Sequence, residues 1–196
     1  MIVVITSEIP VQNETEIINQ MFQEGLDLLH IRKPIMGREE MKSFLDSIDE
    51  IFYPQLVLHG YYDLRSDYQI SRLHFREADR LTEINRPYIE ENILSTSVHD
   101  IETYNTLGKE WEYAFISPVF PSISKKGYGE NSNVMESIKY RNNQDVKLIA
   151  LGGINGNNIR TVFENGADGA ALLGAVWESD QPLNTFKNLK KSALLY

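Results

Sequence analysis

The stretch VKLIALGGINGNNIRTVFENGADGAALLGAVW, residues 146–177, restricts the fold more than any other part of the chain. VKLIA and GAALL are short, continuously apolar runs, the pattern of strands covered on both faces, as in a parallel sheet. Between them, Ile159, Val162 and Phe163 recur at helical spacing after a polar Asn run, and Gly166 is placed to stop that helix. Each strand runs into glycine: Gly152 and Gly153 after the first, Leu173 and then Gly174 after the second. Glycine at such a turn lets backbone N–H groups approach an anion, with the next helix N-terminus behind it. The expectation is a phosphate grip built from two adjacent strand-to-helix turns, with Gly152, Gly153, Leu173 and Gly174 as its binding residues.

The same alternation recurs upstream. Strands are expected at residues 2–6, 28–32, 55–59, 72–75, 92–97 and 113–117, ahead of the two just described. Helices are expected at 14–25, 37–52, 99–108, 133–140, 155–166 and 183–194, with a short one around 62–68. Eight strand–helix units over 196 residues leave about 25 residues per unit, short for a barrel of this kind, typically ~250 residues. An open doubly wound sheet would carry GxGxxG after an early strand, and none is present. The expected fold is therefore α/β, a single (β/α)₈ TIM barrel over residues 1–196 with short loops.

Composition narrows the function. There is no cysteine, which removes thiolate metal sites and a cysteine nucleophile and fits a cytoplasmic location. A net charge of −9 argues against nucleic acid or an anionic membrane as partner. No apolar run is long enough to span a bilayer. Small phosphorylated substrates are the expected partners, and a homodimer the expected assembly.

In a barrel of this type, binding and catalytic groups sit at the C-terminal ends of the strands. Those ends read His30, Arg32 and Lys33; His59; His74 and Arg76; Ser97 and His99; and Ser117 with the loop after it. All four histidines fall at or near such positions. The loop SPVFPSISKKGYGENS is long for its place and puts Ser122, Ser124, Lys125 and Lys126 together in an acidic chain. Hydroxyls beside an ammonium suit an anion with several oxygens.

LHIRKP, SVHDIETY, ISPVFPSISKKG, IALGGINGNNI and ENGADGAALLGAVW, in this order and spacing, resemble the thiamine phosphate synthase and thiazole tautomerase superfamily. The resemblance covers nearly the whole chain and is strongest from residue 92 onward. It implies a barrel that handles phosphorylated pyrimidine and thiazole precursors of thiamine, with diphosphate leaving the pyrimidine in a Mg²⁺-assisted step. Carried over by position, Arg32, Ser97 and Lys125 would be catalytic on the diphosphate. Ser122 and Ser124 would stand in the Thr-x-Thr-Lys loop, each as serine. Gly153 and Gly174 would hold the thiazole phosphate, and His30 and His59 would line the substrate site.

The pattern also departs from that family. His59–Gly60 stands where the synthase carries Asn-Asp, its Asp a metal ligand, and His30 replaces a glutamine. Pro34 occupies the position of a lysine, with Lys33 displaced by one. Asp79 is the remaining metal carboxylate on this reading, with Asp63 and Glu77 as substitutes. Gly60 matches the tautomerase, whereas Pro118 replaces that enzyme's histidine. The leading expectation is a thiamine phosphate synthase-like transferase with a divergent metal site. The alternatives are a tautomerase-like isomerase with histidine acid–base chemistry, or a non-catalytic binder that kept the phosphate grip.

Overall fold

The computed structural model describes residues 1–121, 129–130 and 132–194. Eight parallel strands close in chain order: β1 (Ile2–Ile5), β2 (Leu28–Ile31), β3 (Leu56–Leu58), β4 (Arg72–Phe75), β5 (Ile93–Val98), β6 (Trp111–Ile116), β7 (Lys147–Leu151) and β8 (Gly169–Leu172). The seam is parallel like the rest, with Val3 opposite Ala171 on β8 and opposite Leu28 on β2. Closure leaves no free edge, so the backbone groups of each strand have a neighbour on both sides. This is the (β/α)₈ barrel expected from the apolar runs.

The connections carry α1 (Glu14–Gln23), α2 (Arg38–Asp46), α3 (Glu77–Leu81), α4 (Ile101–Asn105), α5 (Val134–Ser137), α6 (Ile159–Glu164), α7 (Gly174–Trp177) and α8 (Pro182–Leu194). Most are shorter than the sequence suggests. The helix expected over 37–52 stops at Asp46, and the chain resumes as a 3₁₀ segment, Glu50–Gln55, that contains Pro54. Proline has no N–H to continue a helical ladder. The helix expected over 99–108 is one turn, started by Asp100, whose carboxylate accepts from the Thr103 N–H at 2.6 Å. The segment after β4, which reads as a loop, is α3; Asp79 sits in its first turn and accepts from the Arg76 N–H at 3.1 Å.

Alternation along the strands splits the core in two. Ile2, Val4, Leu29, Ile31, Leu73 and Phe75 face outward, in one buried cluster with Ile18, Met21, Leu45, Tyr104 and Phe186 of the helices. Val3, Ile5, Leu28, Val57, Tyr113, Phe115, Ile149 and Ala171 form a separate cluster inside the barrel. At the N-terminal end, Asp168 accepts from the Leu148 N–H and from Arg141 Nη1, both at 2.7 Å, tying β7 to the start of β8.

Candidate active site

The period of two that places Leu28 and Val57 inside the barrel also turns every second residue beyond them inward. After Leu28 comes His30 and then Arg32; after Val57 comes His59. On β4 the inward positions are His74 and then Arg76, on β5 Ser95 and Ser97, on β6 Tyr113, Phe115 and Ser117. Barrel interiors of this class are usually filled by branched aliphatics. Here the upper layer is built from imidazoles, hydroxyls and aromatic rings.

The imidazoles form one connected group. His30 Nδ1 and His59 Nε2 share a hydrogen bond of 2.7 Å, and His30 Nε2 is 2.7 Å from the Tyr113 hydroxyl. His74 is held on both sides by serine, Nδ1 at 2.9 Å from Ser95 Oγ and Nε2 at 2.9 Å from Ser97 Oγ. Ser95 directs its hydroxyl to the Leu73 carbonyl, so it accepts from His74 Nδ1–H. That leaves the Nε2 lone pair of His74 turned toward Ser97. The His59 and His74 rings stack at 4.2 Å, and Phe115 packs against His30 at 4.6 Å. Burial disfavours the charged imidazolium throughout. It holds His30 and His59 well below the ordinary histidine range and takes His74 down to about 3. At neutral pH this group is uncharged.

Above it opens the pocket. Among the described residues it is lined by Glu8, Arg32, His59, His74, Arg76, Ser97, Ser117 and Pro118 on one side, and by Leu151, Gly152, Gly153, Ile154, Leu173 and Gly174 on the other. The two glycine turns therefore face one cavity, as a shared phosphate grip requires. Gly152 has φ +108° and Gly153 φ +62°, and a Cβ on Gly153 would overlap the Pro121 carbonyl oxygen. No other residue fits that turn without strain. Arg32 pairs with Glu8, and Arg76 takes Asp79 in a two-pronged grip, Nε to Oδ2 at 2.9 Å and Nη2 to Oδ1 at 3.0 Å. This guanidinium fork holds the Asp79 carboxyl below its usual range.

The residues expected from sequence separate into three groups. Arg32, Ser97, His59, Gly152, Gly153, Leu173 and Gly174 line the pocket. His30 is fully buried behind His59 and supports it without facing the cavity. Asp79 stands beside the pocket with both oxygens engaged by Arg76, while Asp63 pairs with Arg38 on the surface. Ser122, Ser124 and Lys125 lie outside the described residues. Lys33 leaves the site: its ammonium is buried against Glu14 of α1 and over the Phe44 ring of α2. His99 turns away too, its Nδ1–H donating to the Ser117 carbonyl at 2.8 Å. Arg76 and His74 are the pocket residues that sequence places at a strand end without giving them a role; the signal was the alternation of RLHF continued past its last residue.

Comparison with known proteins follows this geometry. The family described as thiamine monophosphate synthase matches residues 1–176. The thiamine-phosphate synthase of Lysinibacillus sphaericus is 25% identical over 200 residues, covering 95% of this chain and 92% of that protein. A solved thiamine phosphate pyrophosphorylase from Bacteroides thetaiotaomicron superposes with a TM-score of 0.82 at 25% identity, covering 99% of this chain and 98% of that one. The fold is shared equally well with a thiamine phosphate pyrophosphorylase from Pyrococcus furiosus, TM-score 0.82 at 19% identity, over 99% of this chain and 95% of that one. With a closed barrel, two glycine turns facing one pocket and a family match over residues 1–176, this chain belongs to the thiamine monophosphate synthase family.

Proposed function

We propose that the chain is a thiamine phosphate synthase that joins hydroxymethylpyrimidine diphosphate to thiazole phosphate. The observation that carries this reading is the pocket itself: Arg32 and Arg76 on one wall, the Gly152–Gly153 and Leu173–Gly174 turns on the other. Two phosphorylated partners need two anion sites facing a common space. The glycine turns suit the thiazole phosphate, through backbone N–H groups. Arg32, Arg76 and Ser97, with Ser122, Ser124 and Lys125 of the loop after β6, suit the diphosphate.

On this reading the bond from the pyrimidine methylene carbon to the diphosphate oxygen breaks first, and diphosphate leaves with the electron pair. The thiazole nitrogen then donates its lone pair to the cation, forming the C–N bond. Charge develops on the departing oxygens, and cationic and hydroxyl donors placed around them lower that barrier. No protein base is required, which fits a wall of uncharged imidazoles.

Mg²⁺ takes carboxylate and phosphate oxygens, and among the described residues the carboxylates at the pocket are Glu8, paired with Arg32, and Asp79, gripped by Arg76. Those two, with the diphosphate oxygens, would hold the ion, and Mg²⁺ would supply charge neutralisation on the leaving group. Arg32 and Arg76 add to that stabilisation.

One observation favours a second reading. His59 is an uncharged imidazole on the pocket wall, able to move a proton on a bound thiazole phosphate. Incubating both precursors with the protein separates the two. Thiamine phosphate and diphosphate in equal amounts support the synthase; isomer conversion of the thiazole alone, without coupled product, overturns it in favour of the isomerase. Phosphate binding without either product would leave a binder.

A further inference from the structure

We infer that His30, His59 and His74 form a binding site for one divalent transition-metal ion of the zinc kind, open toward the pocket. One nitrogen from each of the three rings lies within 4.8 Å of the others. Each buried histidine gives one nitrogen to a fixed hydroxyl, His30 Nε2 to Tyr113 and His74 Nδ1 to Ser95, while the other meets His59 on His30 and Ser97 Oγ on His74. Outer hydroxyl or carbonyl partners of this sort fix the tautomer and aim of metal-ligating histidines. The inner atoms are His30 Nδ1, His59 Nε2 and His74 Nε2, with Ser97 Oγ beside the last.

The donor chemistry selects the ion. Neutral imidazoles suit zinc, iron, cobalt, nickel and copper, whereas Mg²⁺ asks for oxygen. His30 and His74 are buried and His59 is half-buried, surroundings that favour the neutral imidazole a metal takes. Tetrahedral bonds of about 2.0–2.1 Å put two nitrogens about 3.3 Å apart. The 2.7 Å contact of His30 with His59 must therefore open slightly as the ion takes the place of the shared proton. If His30 is the donor, that proton moves to its own Nε2, where the Tyr113 oxygen accepts it; if His59 is the donor, the proton moves to His59 Nδ1; both rings stay neutral in either case. His59 follows the short strand β3 and precedes Gly60, whose surroundings are open, which leaves it room to shift. His59 and His74 line the pocket with His30 buried behind them, so an ion held by the three would have its remaining positions on the side of the cavity, where oxygens of a phosphorylated substrate can complete the set. The inference concerns metal binding and stands whether or not the transferase reading does.

The test is a Co²⁺ titration of the chelator-stripped protein, read by visible absorption, with Zn²⁺ competition and a large excess of Mg²⁺ as control. The expected result is one Co²⁺ per chain with the intense bands of a low-coordinate nitrogen site, displaced by Zn²⁺ and untouched by Mg²⁺. His59→Gln and His74→Gln should each weaken binding by at least about tenfold, and Tyr113→Phe should weaken it while keeping the spectrum. Where a variant does not fold, ¹⁵N resonances of the unaltered protein serve: Zn²⁺ should shift three of the four histidines and leave His99 in place. Binding that is absent, that shows only weak octahedral bands, or that is unchanged in both glutamine variants overturns the site.

Discussion

Arg76 and Asp79 grip each other through two parallel hydrogen bonds, one turn apart at the start of α3, on the rim of the pocket. The pair is electrically closed in the absence of ligand, yet the Arg76 side chain is 73% exposed and free to reach an anion entering beside it. Arg76→Met should raise the KM for the pyrimidine diphosphate and lower kcat/KM by about tenfold or more, the cost of a hydrogen bond to a charged group. Arg76→Lys should recover only part of that, because a point charge cannot reproduce the fork. Steady-state kinetics with each precursor varied in turn would check both, and unchanged constants would remove Arg76 from the site.

Lys125→Ala should lower kcat and kcat/KM together by about 10²-fold, the signature of an interaction made as charge develops on the leaving diphosphate. Single-turnover quench measurements isolate that step. A rate equal to the unaltered protein would take Lys125 out of the mechanism.

Gly153→Ala tests the opposite wall. Alanine at φ +62° costs about 1–2 kcal/mol in the backbone alone, and its Cβ meets the Pro121 carbonyl as well. The turn must shift, so the KM for thiazole phosphate should rise at least about tenfold, while affinity for the pyrimidine diphosphate stays near its original value. Calorimetric titration with each precursor separately would show the asymmetry; equal losses for both would place the glycine turn in a purely structural role.

The Lys33–Glu14 pair predicts stability without activity. Both side chains are more than nine-tenths buried, and Glu14 Oε1 has no hydrogen-bond partner. Burial pushes the Glu14 carboxyl up while the Lys33 ammonium pulls it back. Lys33→Met strands a buried carboxylate and should cost about 3–5 kcal/mol in urea unfolding; adding Glu14→Leu should return most of it. Turnover of the folded fraction should be unaffected in the double variant, since the pair faces α1 and α2. A selective loss of activity would mean that Lys33 serves the pocket after all.

The barrel was legible because both faces of its strands are covered, so VKLIA and GAALL read as unbroken apolar runs. The pocket was legible where period two and strand ends coincide: Arg32, His59, Ser97 and the paired glycines. It was obscured where local signals conflict. RLHF is short and bracketed by charge, so His74 and Arg76 were placed at a strand end but given no role. HFREAD looks like a loop, and only the reciprocal capping of Arg76 by Asp79 makes it a helix start. His30 sits at a strand end like the others; that Tyr113 closes over it depends on β6, more than eighty residues away. Lys33 is one residue past the inward-facing Arg32, and that single step of the pleat sends it to the opposite side of the sheet.

The chain carries two tryptophans, and the barrel has set them at opposite ends. Trp111 opens β6 and is buried at the closed end. Trp177 ends α7, three residues beyond Gly174, and its indole Nε1–H donates to the Ile5 carbonyl at 2.7 Å, bridging from the Leu173–Gly174 turn to β1. The two indoles thus offer an optical gauge to test: Trp177 emission should change if a ligand fills the adjoining turn, and Trp111 emission should stay constant. Replacing Trp111 with phenylalanine would isolate the first signal, and ligand occupancy could then be followed in real time without label or turnover.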